Sequence, residues 1–122
     1  MKGFAVLAAA LAMVPAAASA QAVEEGFPRG SLAVAAIDRG DWNRAEALLR
    51  TSQLEADDPA RLINLGAVYM QTGRTSEALT AWRAALASNR HSQVETIGGR
   101  WVSTRDLARE ALARYETAQV RN

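Results

Sequence analysis

Residues 62–86 read LINLGAVYMQTGRTSEALTAWRAAL. The stretch holds no cysteine, no histidine and no pair of acids, so it has no obvious chemistry, yet its apolar and small residues are strictly spaced. Just upstream, Asp58 is placed to cap a helix and Pro59 to occupy its first position, where the missing N–H costs nothing. Leu62, Leu65, Val68 and Tyr69 then form one stripe, with Ile63, Ala67 and Met70 on an adjoining face. Gly73 ends the helix, because glycine takes the left-handed C-terminal position cheaply. Thr75 or Ser76 is expected to cap a second helix, whose apolar face is Ala78, Leu79, Trp82, Ala85 and Leu86.

Upstream of this pair the same design recurs. Helical periodicity begins at Ser31, with Leu32, Ala36 and Ile37 on one face and Gly40 as the stop. Asp41 is expected to cap the next segment, WNRAEALLRTSQLEA, in which Trp42, Ala45, Leu48 and Leu49 recur at one-turn intervals. IDRGDWNRAEALLR from Ile37 aligns with MQTGRTSEALTAWR from Met70. Gly40 matches Gly73, Ala45 matches Ala78 and Leu49 matches Trp82, each pair 33 positions apart. The chain therefore contains an internal repeat, the mark of stacked supersecondary units.

Leu62, Leu65-Gly66, Tyr69, Ala78 and Trp82 resemble the tetratricopeptide repeat. Leu62 stands where that family usually has Trp, Trp82 where it has Phe, and Asn89, Arg90 and His91 occupy the end where a proline is usual. In physical terms, Gly66 and Ala78 are small so that two helices approach closely, and Tyr69 and Trp82 fill the remaining space. The first repeat is weaker: Ala33 stands at the place of Gly66 and Ala36 at that of Tyr69. The resemblance runs from about Phe27 to Ser92 and implies an all-α fold of two antiparallel helix pairs over residues 30–92.

The resemblance also implies a concave groove lined by the first helix of each pair. Carried over, the groove positions are Ala60, Ile63, Asn64, Ala67, Met70 and Gln71 in the second pair. In the first pair they are Val34 and Ile37, with Phe27 and Gly30 before them. Some family members clamp a terminal carboxylate here with basic residues and asparagine. Asn64 suits that role, but no basic partners accompany it. The mostly apolar face favours an apolar peptide or a partner helix. The other reading fills the groove permanently, with the chain's own tail or leader or with another copy.

Two repeats are fewer than the usual three, so the end of the second pair must be covered. The tail STRDLAREALARYETA supplies a capping helix over residues 104–120, with Ser103 or Thr104 at its start and Asp106 in a capping-box position. Its stripe is Leu107, Ala108, Ala111, Leu112 and Tyr115. Ahead of it, residues 93–103 combine strand formers with Gly98-Gly99 and predict a short β-hairpin, Gln93–Ile97 with Arg100–Ser103. A lone hairpin is marginal in water, so Trp101 and Ile97 are expected to pack on a helix. Arg100, Trp101, Arg105 and Arg109 form a secondary contact candidate for an acidic or polymeric partner, against the alternative of a solvated face.

Residues 1–20 have Lys2, an apolar run from Phe4 to Val14, and Ala18-Ser19-Ala20, which together predict a signal peptide cleaved after Ala20. The run is too short to span a membrane. Residues 21–29 read as a flexible leader. Without Lys2 the remaining basic residues are all arginines and balance the 13 acids, which argues against a nucleic-acid stripe or an anionic membrane surface. There is no cysteine to provide a disulfide. His91 stands alone in a polar loop, Glu24-Glu25 and Asp57-Asp58 are adjacent acids without ligand spacing, and no serine has a partnered base. The expectation is a non-enzymatic periplasmic or secreted adaptor, without metal or cofactor, that holds another envelope protein or peptide. The alternative is a self-associating or complex-bound envelope subunit.

Overall fold

The computed structural model describes residues 26–96 and 98–121, with side chains as far as Tyr115. The expected signal peptide, most of the expected leader, and Ile97 lie outside the described residues. In chain order the elements are α1 (Val34–Asp38), α2 (Trp42–Arg50), α3 (Pro59–Gln71), α4 (Thr75–Ala87), β1 (Gln93–Glu95), β2 (Trp101–Ser103) and α5 (Thr104–Arg121). The helices stack in sequence, α1 on α2, α2 on α3, α3 on α4 and α4 on α5, and α5 also reaches back to α3. This is the expected pair-of-pairs architecture with a hairpin before a final helix.

The two repeats turn in the same way. After α1, the Asp41 N–H donates to Ala36 O at 2.9 Å; after α3, the Arg74 N–H donates to Tyr69 O at 2.8 Å. These are six-to-one closures of Schellman type, with Gly40 and Gly73 at φ +74° and +79°. The second pair is then drawn together at Gly66. A Cβ built there would lie 2.8 Å from Trp82 Cε2 and closer still to Nε1, so only glycine fits beneath the indole. The Trp82 N–H donates to Ile63 O at 3.2 Å, so the ring is held by a hydrogen bond as well as by packing.

Three helix limits differ from expectation. The first helix begins at Val34, not Ser31, and is only five residues long. Gly26, Pro28 and Gly30 resist a continuous helix, and the chain forms tight turns instead: the Ser31 N–H donates to Pro28 O and the Ala33 N–H to Gly30 O. Helix α2 stops at Arg50 rather than near Ala56. Arg61 of α3 reaches back to this end, its Nε donating to Leu49 O at 2.7 Å and its Nη1 to Ala56 O at 2.9 Å. The guanidinium thus takes the Leu49 carbonyl, which a further turn of helix would have used. Finally, neither Thr75 nor Ser76 caps α4. The cap position falls on Arg74, which makes no side-chain capping bond. The repeat register puts Arg74 where Asp41 stands in the first turn, and its side chain goes elsewhere.

The hairpin pairs Val94 with Val102 and Glu95 with Trp101. Side chains alternate across a strand, so Val94 and Val102 turn toward the core and Trp101 turns out. Trp101 is 54% exposed, contrary to the expectation that it packs on a helix; Val94 takes that place. The last helix behaves as expected. Ser103 Oγ accepts from the Asp106 N–H at 3.0 Å, and Leu107, Ala108 and Leu112 are buried.

Candidate functional site

Two apolar clusters organise the molecule. One joins the helix pairs through Leu49, Leu65, Val68, Tyr69 and Trp82. The other lies toward the expected groove and contains Ala60, Ile63, Ala85, Val94, Leu107 and Ala108. Leu32, fully buried, belongs to this second cluster, and Phe27, Val34 and Val102 pack at its edge.

Of the ten positions assigned to the groove, Ala60, Ile63, Asn64, Ala67 and Ile37 are buried by the chain itself. Val34, Met70 and Gln71 remain half-buried. Phe27 and Gly30 line no helix; they belong to the turn segment ahead of α1. That segment is tied down by Asn64, whose Nδ2 donates to Leu32 O at 3.0 Å across 32 residues of sequence. Asn64 is wholly inaccessible. The amide of α3 thus holds a backbone carbonyl of an irregular segment, and the neighbouring leucine side chain enters the apolar cluster.

The seat of this segment carries two local penalties. Ala33 sits at φ 57°, ψ 30°, a left-handed conformation that costs a non-glycine residue about 1–2 kcal/mol. Ser31 Oγ is buried and, among the described residues, is the side-chain polar atom left without a hydrogen-bond partner. Such an atom costs about 1–3 kcal/mol.

A charged network bridges the repeats. The Arg74 guanidinium bonds to both oxygens of Glu46 on α2, and Arg50 Nε bonds to Glu46 Oε2 at 2.8 Å. Arg74 also lies over the Tyr69 ring, 4.6 Å from its centroid, and Arg50 Nη2 donates to Tyr69 Oη at 3.1 Å. The hydrogen bond from Arg74, with help from Arg50 and against partial burial, holds the Glu46 carboxyl below its ordinary pKa. This arrangement ties α2 to the end of α3 and the turn that follows it.

His91 is not the solitary loop residue it looked to be. Its Nε2 lies 3.3 Å from Leu86 O and its Nδ1 2.9 Å from Thr104 Oγ1. A carbonyl only accepts, so the Leu86 contact requires a proton on Nε2, and in that neutral tautomer Nδ1 accepts from the Thr104 hydroxyl. Thr104 Oγ1 in turn accepts from the Ser92 N–H at 3.2 Å. The end of α4, the hairpin and the start of α5 are thereby joined.

The secondary candidates stay on the surface. Arg100 faces Glu110 at 3.5 Å, Arg109 pairs with Asp106 at 2.7 Å, and Arg105 is exposed beside them. Trp101 is exposed on the neighbouring hairpin strand. Among the described residues no three histidine, cysteine or acidic side chains gather where a metal ion could be held.

Sequence reasoning missed Leu32 as a groove occupant, Asn64 as its clamp, and Arg61 as a helix stop. The signal available for the first was Gly26, Pro28 and Gly30, which interrupt the helix the repeat frame calls for. No sequence signal marks Arg61.

A family model described as tetratricopeptide repeat matches residues 36–97, a little over half of the chain. No curated protein and no solved structure matches it.

Proposed function

The chain belongs to the tetratricopeptide repeat family, and from that premise we propose that it is a protein-binding module of the bacterial cell envelope. Repeats of this family serve in general as non-enzymatic interaction modules. The finer reading is that residues 1–20 direct export, that cleavage after Ala20 releases the mature chain, and that the concave side of α3 holds an apolar segment of an envelope protein. One observation carries the groove reading: Asn64 and its apolar neighbours already hold an irregular stretch of polypeptide by one leucine side chain and one backbone carbonyl. A surface able to do this within the chain has the chemistry to do it for a partner.

A second reading has the chain as a structural subunit whose groove stays filled, and which meets its neighbours through the hairpin end. The exposed indole of Trp101, beside Arg100, Arg105 and Arg109, favours it. Aromatic and arginine side chains dominate interface energetics when buried by a partner.

The test is crosslinking of the tagged full chain in cells, followed by mass spectrometry, with Gln71→Arg and Trp101→Ala variants alongside. Ile63 is buried and unsuited to a surface substitution. Capture of one envelope protein, lost with Gln71→Arg alone, supports the groove reading. Capture only of further copies, lost with Trp101→Ala, supports the structural reading. A captured chain that still begins at Met1 overturns export with cleavage.

A further inference from the structure

The segment bonded to Asn64 belongs to the same molecule, and it is anchored at Leu32 but strained on either side of it. Pro28 and Gly30 fold residues 26–33 into two tight turns, closed by bonds of 3.0 and 3.2 Å. Leu32 supplies the apolar anchor among Ala60, Ile63, Leu107 and Ala108, and its carbonyl takes the Asn64 amide. The fit is imperfect on both sides of that anchor. Ser31 Oγ is buried unpaired, and Ala33 is forced into a left-handed conformation.

We infer that residues 26–33 are a displaceable plug, and that the groove accepts in its place a protein segment of the same chemistry: a leucine-like side chain beside a free backbone carbonyl, with no charge at that position. The inference rests on the protein-binding reading and adds its regulation. A partner meets an open seat only in the fraction of molecules whose plug has lifted, and its apparent affinity falls by that fraction. Because the plug directly precedes α1, any event that pulls on the chain before Gly26 acts on the seat.

The test uses the full chain and a synthetic labelled peptide of residues 26–35, GFPRGSLAVA. Binding is read by fluorescence anisotropy to the wild type and to Leu32→Ala, which unseats the tethered copy. The expected result is saturable binding to Leu32→Ala about tenfold or more tighter than to the wild type. A peptide with alanine in place of its leucine should not bind. A Leu32→Ala chain that keeps its helix content but does not take up the peptide overturns the inference, as does equal uptake by both chains.

Should Leu32→Ala fail to fold, amide hydrogen exchange on the wild type decides. A plug predicts that the Ser31 and Ala33 amides exchange together, about tenfold or more faster than the interior of α3, and that Ser31→Ala slows them about fivefold. Exchange of these amides only at the rate of the α3 interior overturns it. Peptide uptake without any captured envelope protein leaves the plug standing and removes the partner reading.

Discussion

The two repeats share a frame of 33 residues and the same glycine turn, but they use one equivalent position in opposite ways. Gly66 lies inside a regular helix and is glycine because Trp82 rests on it. Ala33, its counterpart, is an alanine in the left-handed conformation that glycine would suit better. In the second repeat the small residue closes a helix pair. In the first, the helix has not begun, and Leu32 of the preceding turn segment bonds to Asn64 of α3 and packs in one cluster with Ala60 and Ile63. A degenerate repeat therefore keeps its turn and its second helix, and its first helix shortens to five residues behind an irregular segment. The shared glycine turn preserves the stack; the lost helical turns leave an irregular segment bonded to α3.

The largest expected effect separates the two positions directly. Gly66→Ala should lower stability by about 3 kcal/mol, because the new methyl meets an indole that is packed and hydrogen-bonded. Thermal or urea denaturation measures it, and a loss below about 1 kcal/mol would break the contrast. Asn64→Ala should cost about 2 kcal/mol, since it leaves the Leu32 carbonyl without its amide, and it should speed amide exchange at Ser31 and Ala33 more than in α4. Ala33→Gly should be within about 0.5 kcal/mol of neutral, as relief of the left-handed strain offsets the lost buried methyl and the added chain entropy. An alanine in an ordinary buried helical site would instead show a clear loss.

Smaller effects concern what ties the repeats together and what does not. Glu46 has a lowered pKa in the folded chain, so its pairing with Arg74 stabilises at neutral pH and is lost as the pH falls through that depressed value. Glu46→Gln should therefore be less stable than the wild type at pH 7, and the gap should shrink below about pH 4 in acid-denaturation curves. Trp101→Ala should change stability by no more than about 0.5 kcal/mol, because the indole is largely in solvent. A larger loss would mean that the hairpin end is packed against something.

The second repeat was legible in the sequence almost to the residue. Pro59, Gly66, Gly73 and Trp82 each restrict the backbone or the space around them so strongly that spacing alone fixes the helix pair. The hairpin was legible for similar reasons, but its facing was not. Trp101 and Val102 are both strand formers, and which one turns inward depends on a register of one residue. The groove residues were assigned from the frame of the repeat, and the frame says nothing of what lies over them. Ala60 and Ile63 are buried in a cluster with Leu32, Ala85, Val94, Leu107 and Ala108, and Asn64 bonds to Leu32, 32 residues away in sequence; contacts of that range leave no local pattern. The end of α2 at Arg50 is hidden for the same reason, since a residue of the next helix sets it.

The central claim is that residues 26–33 lie against α3 rather than continue α1 as a full first helix. Nuclear Overhauser contacts of Leu32 in the labelled full chain test it most directly. The account predicts contacts from Leu32 to Ile63 and Ala60, and from the Asn64 side-chain amide to residues 32 and 33, without helical sequential contacts across residues 26–33. Contacts from Leu32 to Ala45 and Leu49, with an unbroken helical pattern from residue 26 to residue 38, would contradict it. The first repeat would then be a complete helix pair and the groove would be open.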